Sequence, residues 1–130
     1  MRRSRLAGGL GALALLYAGG LSAPAMAADS PTTIGVRNGL TEFSFSLSRT
    51  KVDPGPAIIQ YQNTGEDPHD LQIRRRGDDR VFSAGALLPG GVGLVTPQLK
   101  KDSRYSFWCS LEGHREAGME AVLKVRKKRT

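Results

Sequence analysis

Cys109 is the only cysteine in this 130-residue chain. It lies in the run Tyr105-Ser-Phe-Trp-Cys-Ser-Leu-Glu-Gly-His-Arg-Glu-Ala-Gly-Met119, with His114 five positions after it and Met119 five further on. The run opens as a strand, because Tyr105, Phe107 and Cys109 share one face at period two. It closes in a turn containing glycine that can fold His114 and Met119 back toward the sulfur. A soft thiolate, an imidazole and a thioether in one loop suit copper, whose reduced state prefers sulfur and whose oxidised state accepts nitrogen. The usual site of this kind has two His and one Cys in a trigonal plane with a long axial Met. The second imidazole must come from elsewhere, and the only other histidine is His69, in Asp67-Pro-His-Asp70.

The start of the chain bears on the cysteine. Arg2, Arg3 and Arg5 precede an apolar stretch, Leu6 to Ala18, and Ala25-Met26-Ala27 has the pattern of a cleavage site. Residues 1–27 therefore read as a cleavable secretory signal and 28–130 as one mature domain. The apolar stretch is shorter than the roughly 20 residues that span a bilayer, so no stable membrane anchor is expected after cleavage. The destination is the periplasm or another space outside the cytoplasm. A lone thiol there forms no internal disulfide and invites oxidation, so it needs a reason. Metal ligation is one, and burial as a small hydrophobe is another. Without the signal's three arginines, the chain has sixteen basic and twelve acidic side chains, a net charge of +4. That suits an acidic partner surface and is too weak to imply nucleic acid.

The mature chain reads as all-β. Glu42 to Ser48 alternates, with Phe43, Phe45 and Leu47 against Ser44, Ser46 and Ser48. Further strands are expected at 33–36, 57–62, 70–75, 91–96, 104–109 and 121–127, separated by turns such as Asp53-Pro-Gly-Pro56 and Asn63-Thr-Gly-Glu-Asp-Pro68. His69 falls at the very start of one strand, on the face of Leu71 and Ile73. Residues 81–89 are expected to hold one helical turn. About seven short strands at this spacing give a β-sandwich.

Asp67-Pro-His-Asp70, Tyr105-Ser-Phe-Trp-Cys-Ser110, Gly113-His114 and Gly118-Met119 resemble the cupredoxins, the blue copper proteins of the plastocyanin and azurin family. The aromatic run around Cys109 is similar to plastocyanins, and the Cys-x4-His-x4-Met spacing is similar to rusticyanin and sulfocyanin. The resemblance covers residues 33–127. It implies a Greek-key β-sandwich and one copper ion per chain, with His69, Cys109 and His114 as trigonal ligands and Met119 as the axial ligand. Zinc is the chemical rival, but zinc sites rarely recruit a thioether. Where plastocyanins carry Asn after the first His, this chain has Asp70, within reach of Ser110. Trp108 takes the place of a surface tyrosine that lies on an electron path in plastocyanins. Leu87, Leu88 and Pro89 are expected at the rim of the site.

The resemblance implies a monomeric one-electron carrier between redox proteins, with partners that present acidic surfaces. The alternative is a copper chaperone or sequestering protein, but such proteins favour exposed Met- and His-rich sets, and no Met-rich segment exists here. An enzyme is not expected, because both histidines are already committed to one site.

Overall fold

The computed structural model describes residues 19–25 and 28–128. Most of the expected signal, including Met26 and Ala27 of its cleavage pattern, lies outside the described residues, as do Arg129 and Thr130. Ten strands follow: β1 (Thr32–Asn38), β2 (Phe45–Leu47), β3 (Lys51–Val52), β4 (Gly55–Gln62), β5 (His69–Arg75), β6 (Val81–Leu87), β7 (Val92–Val95), β8 (Gln98–Leu99), β9 (Ser103–Trp108) and β10 (Glu120–Val125). They form two mixed sheets. One has the order β2-β1-β4-β7, with β8 also paired to β4, and the other has the order β3-β10-β9-β5-β6. The β1–β4 and β3–β10 pairs are parallel and the rest are antiparallel.

The alternating residues of both sheets meet in one core. Ile34, Val36, Ile59 and Tyr61 come from the first sheet, and Leu71, Ile73, Tyr105, Phe107, Leu123 and Val125 from the second. Burial of these side chains is the main favourable term holding the two layers together, at about 1.5–3 kcal/mol for each large apolar side chain. Phe45 packs edge-on to Tyr61 at 5.4 Å. The Tyr61 hydroxyl, buried with it, donates to Asn38 Oδ1 at 3.2 Å.

The all-β sandwich is as expected, but the described residues form ten strands rather than about seven. Two of the extra strands, β3 and β8, have two residues each, too short for any alternation to register. The helical turn expected at 81–89 is instead strand β6. Pairing to β5 runs Asp70↔Ala86 and then Gln72↔Ser83, so Ala84 and Gly85 together oppose Leu71. Gly85 has φ +74°, which fits a β-bulge with glycine in the left-handed region. The bulge breaks the period of two that would have marked the strand.

This topology gathers the site at one end of the second sheet. β9 lies between β5 and β10 and runs antiparallel to both. The start of β5 (His69), the residue after β9 (Cys109) and the residue before β10 (Met119) therefore lie together.

Candidate metal centre

The connection from β9 to β10 is a compact series of turns. The amide of His114 donates to Leu111 O at 3.1 Å, that of Ala117 to Gly113 O at 3.1 Å, and that of Gly118 to Arg115 O at 2.9 Å. Gly113 and Gly118 sit at φ +79° and +110°, values that L side chains rarely adopt. Met119 closes the loop: its amide donates to His114 O at 3.0 Å, and its carbonyl accepts from the Cys109 amide at 3.1 Å. The Met119 side chain is fully buried.

His69, Cys109 and His114 come together. Their candidate donor atoms all lie within 4.8 Å of one another. His69 Nδ1 is 3.0 Å from His114 Nδ1, and Cys109 Sγ is 3.5 Å from His114 Nδ1. Three such donors sharing one ion at about 2.0–2.3 Å would stand roughly 3.3–3.8 Å apart, so the triangle is close to the size an ion requires. His69 and Cys109 are fully buried, and His114 is partly exposed. Two imidazole nitrogens and a buried thiol sulfur, with a thioether on the same loop, fit a type 1 copper site. Burial pushes the Cys109 thiol above its ordinary range. At neutral pH the metal-free sulfur therefore carries a proton that an incoming metal must displace.

The surroundings fix these groups. The Asp70 amide points at Cys109 Sγ from 3.5 Å. Asp70 itself is buried and accepts from the Ser110 amide at 2.6 Å, from the Ser110 hydroxyl, and from Gln72 Nε2 at 2.9 Å. Burial alone would raise its carboxyl, but the bonds from Ser110 and Gln72 outweigh it and hold the pKa below the ordinary 3.8. The expected Asp70–Ser110 contact is thus made by both amide and hydroxyl. Asn63, fully buried, ties the His69 turn to its neighbours: its Nδ2 donates to Asp67 O at 2.8 Å and to Leu87 O at 2.9 Å. Leu87 pairs with His69 across β5 and β6 and packs on the core, whereas Leu88 is exposed. Trp108 stands on the outer face, with the Arg74 and Arg115 guanidinium groups 5.6 and 5.1 Å from its ring.

Two residues of the centre escape a reading of the sequence. Phe43 sets its ring edge-on to His69 at 6.1 Å and to His114 at 4.9 Å. The Glu42 carboxylate lies 2.6 Å from His69 Nε2. In the sequence both belong to the alternation that runs from Glu42 to Ser48. The strand itself begins at Phe45, and residues 40–43 form a turn over the histidines.

The sandwich is cupredoxin-like in fold, and the cluster at one end of it has donor types that suit copper. Solved structures agree. The chain aligns with auracyanin A, a "blue" copper protein from the bacterium Chloroflexus aurantiacus, at TM-score 0.64 and 16% identity, covering 75% of this chain and 100% of that one. It aligns with rusticyanin from Thiobacillus ferrooxidans at TM-score 0.56 and 19% identity, over 75% and 79% of the two chains. It also aligns with the McoA multicopper oxidase of Aquifex aeolicus at TM-score 0.57 and 14% identity, over 75% of this chain but 30% of the oxidase. At these identities the likeness is one of fold. No family model matches the sequence, and no curated protein matches it.

Proposed function

We propose that this protein is an exported one-electron carrier holding one copper ion, with His69, Cys109 and His114 as trigonal ligands and Met119 as the axial ligand. The observation that carries the reading is the convergence of two imidazole Nδ1 atoms and a buried sulfur at one end of a packed sandwich. When bound, copper supplies the one-electron couple. The chain supplies a donor set whose positions are fixed in advance. His69 is anchored at Nε2, Cys109 is held between the amide of Asp70 and the carbonyl of Met119, and the glycine turns leave His114 little freedom. A set that need not rearrange between oxidation states keeps reorganisation small. Of the donor residues, His114 is the one that reaches solvent, and that is where an electron would enter or leave. The decisive test is addition of cupric ion, followed by visible spectroscopy and voltammetry. An intense blue absorption with a reversible one-electron wave is expected. A colourless complex that gives up its metal readily to a chelator would overturn the reading in favour of copper handling. Both histidines of the sequence belong to this one cluster, which supports a carrier rather than an oxidase with further copper sites.

The axial assignment has its own test. Met119→Gln should keep copper and lower the potential, because an amide oxygen favours the cupric form more than a thioether does. An unchanged or raised potential in that variant, measured by voltammetry, would remove Met119 from the ligand set.

The partner we propose is an acidic redox protein, drawn toward the molecule by a basic row on the outer face of the second sheet, at the end away from His114, and transferring its electron at His114. What supports this is a row of like charges. Lys51 pairs with Lys124 and Lys124 with Arg104 in cross-strand register, and the Arg76 amide donates to Arg104 O at 2.9 Å. All four side chains are exposed, and none is in an ion pair with the described residues. Like charges placed directly opposite cost stability, so the row is better explained by what it attracts. The double reversal Arg104→Glu with Lys124→Glu should slow electron exchange with anionic hexacyanoferrate roughly tenfold at low salt and flatten its salt dependence. Stopped-flow rates that match the unaltered protein at every ionic strength would eliminate this face.

A further inference from the structure

Glu42 lies outside the donor set, on the connection between β1 and β2, yet its half-buried carboxylate gathers hydrogen bonds from the turn that leads into His69. Oε1 accepts from the Asp67 amide at 2.9 Å, and both oxygens accept from the Glu66 amide at 3.0 Å. Oε1 also lies 2.6 Å from His69 Nε2. The Glu42 carbonyl in turn accepts from Asn38 Nδ2 at 2.9 Å. The pocket around the carboxylate is tight, and a Cβ placed on Gly65 would collide with Oε1. An ordinary glutamate is already an anion at neutral pH, and the N–H groups gathered around this carboxylate favour that form.

The simplest role for such a group is to clamp the 64–68 turn, and the two amide bonds would suffice for that. The His69 contact goes further. His69 is fully buried, and among the described residues Glu42 is the only hydrogen-bond partner of its Nε2. An ionised carboxylate can only accept, so the imidazole proton must sit on Nε2, and Nδ1 keeps its lone pair. That lone pair is the one facing His114 Nδ1 and the sulfur. We propose that Glu42 is a positioning residue of the metal centre, fixing the tautomer and ring orientation of His69 and making its Nδ1 a stronger donor that favours the higher oxidation state of the bound metal.

The physical basis is general. A ligating imidazole that donates its other N–H to a carboxylate is held in orientation and made more basic. The bond is charge-assisted and therefore stronger than one to a neutral acceptor. The extra electron density, together with the nearby negative charge, stabilises a doubly charged ion more than a singly charged one. The effect on the metal rests on the copper reading above, whereas the effect on the tautomer does not.

The test is Glu42→Gln, which keeps the shape and the accepting oxygen but removes the charge. Gly65→Ala serves as a second variant, displacing the carboxylate without altering it. For Glu42→Gln, cupric affinity by competition titration should fall about 10–100-fold, and cuprous affinity should fall less. Each tenfold difference between the two raises the reduction potential by about 59 mV. Gly65→Ala should shift the potential in the same direction. In the metal-free protein, ¹⁵N chemical shifts should show His69 in the Nε2–H form in the wild type and mixed in Glu42→Gln. Equal losses for both oxidation states, with an unmoved potential and an unchanged tautomer, would mean that Glu42 is a turn clamp only and would overturn the proposal. A wild type without blue absorption but with the tautomer shift intact would strike the copper reading and leave the positioning of His69 standing.

Discussion

Copper-loaded Cys109→Ser should have no blue absorption at all, while its far-ultraviolet circular dichroism stays that of the β-sandwich. The colour arises from charge transfer between thiolate and metal, and a serine hydroxyl neither ionises near neutral pH nor offers the same covalency. The fold should survive because the site is built by the chain around it. The Cys109 amide still donates to Met119 O, and the Asp70 amide that faces the sulfur at 3.5 Å can face an oxygen instead. Burying a hydroxyl where a sulfur had been costs about 1–3 kcal/mol, which is within what a domain of this size tolerates. Visible spectroscopy of the titrated variant decides the point. Blue colour that persists without the sulfur would mean that the metal is held elsewhere.

The same segment shows how far the sequence could be read. The strands legible in advance are those whose alternation is unbroken. On β9, Tyr105 and Phe107 are buried while Arg104 is exposed, and on β5 Leu71 and Ile73 are buried. The residues of the cluster, His69, Cys109 and His114, were legible because their types are scarce, with one cysteine and two histidines in the chain. β6 was hidden by its own irregularity. A bulge at Ala84-Gly85 reverses the inside–outside order midway along the strand, so no single period describes it. Phe43 was misplaced for the opposite reason. It continues the alternation of Phe45 and Leu47 without a break in the sequence, although the backbone has already turned before Phe45. Glu42 left no local signal. Its partner His69 is 27 positions away, and an acid ahead of a serine-rich strand looks like a solvated side chain. Contacts of this kind are set by tertiary packing, which local pattern does not encode. The Asp70–Ser110 bond, 40 positions apart, was anticipated only because both residues adjoin expected ligands.

Asp70→Asn should raise the reduction potential of the copper-loaded protein by about 50–100 mV. The estimate follows from a unit charge about 8 Å from another being worth about 2 kcal/mol at an effective dielectric of about 20, with about 59 mV per tenfold for one electron. Exposure would have screened the carboxylate and made the effect small. It is instead buried, with its amide on the sulfur and its oxygens bonded to Ser110 and Gln72. The sign follows from charge. An anion beside the site stabilises the cupric state, so its removal favours the cuprous state and moves the potential up. The pH range for the comparison follows from the same bonds. They hold the Asp70 carboxyl below its ordinary 3.8, so the wild type keeps its charge from about pH 5 to 8. Over that range, Asp70 and its neutral replacement should give parallel curves separated by a constant offset. Asparagine can still accept from the Ser110 amide, so the loop after Cys109 stays anchored and the blue absorption should survive, separating loss of charge from loss of structure. Voltammetry of both proteins across that range reads the offset directly. Superimposable curves would show that the carboxylate serves Ser110 alone and leaves the metal untouched.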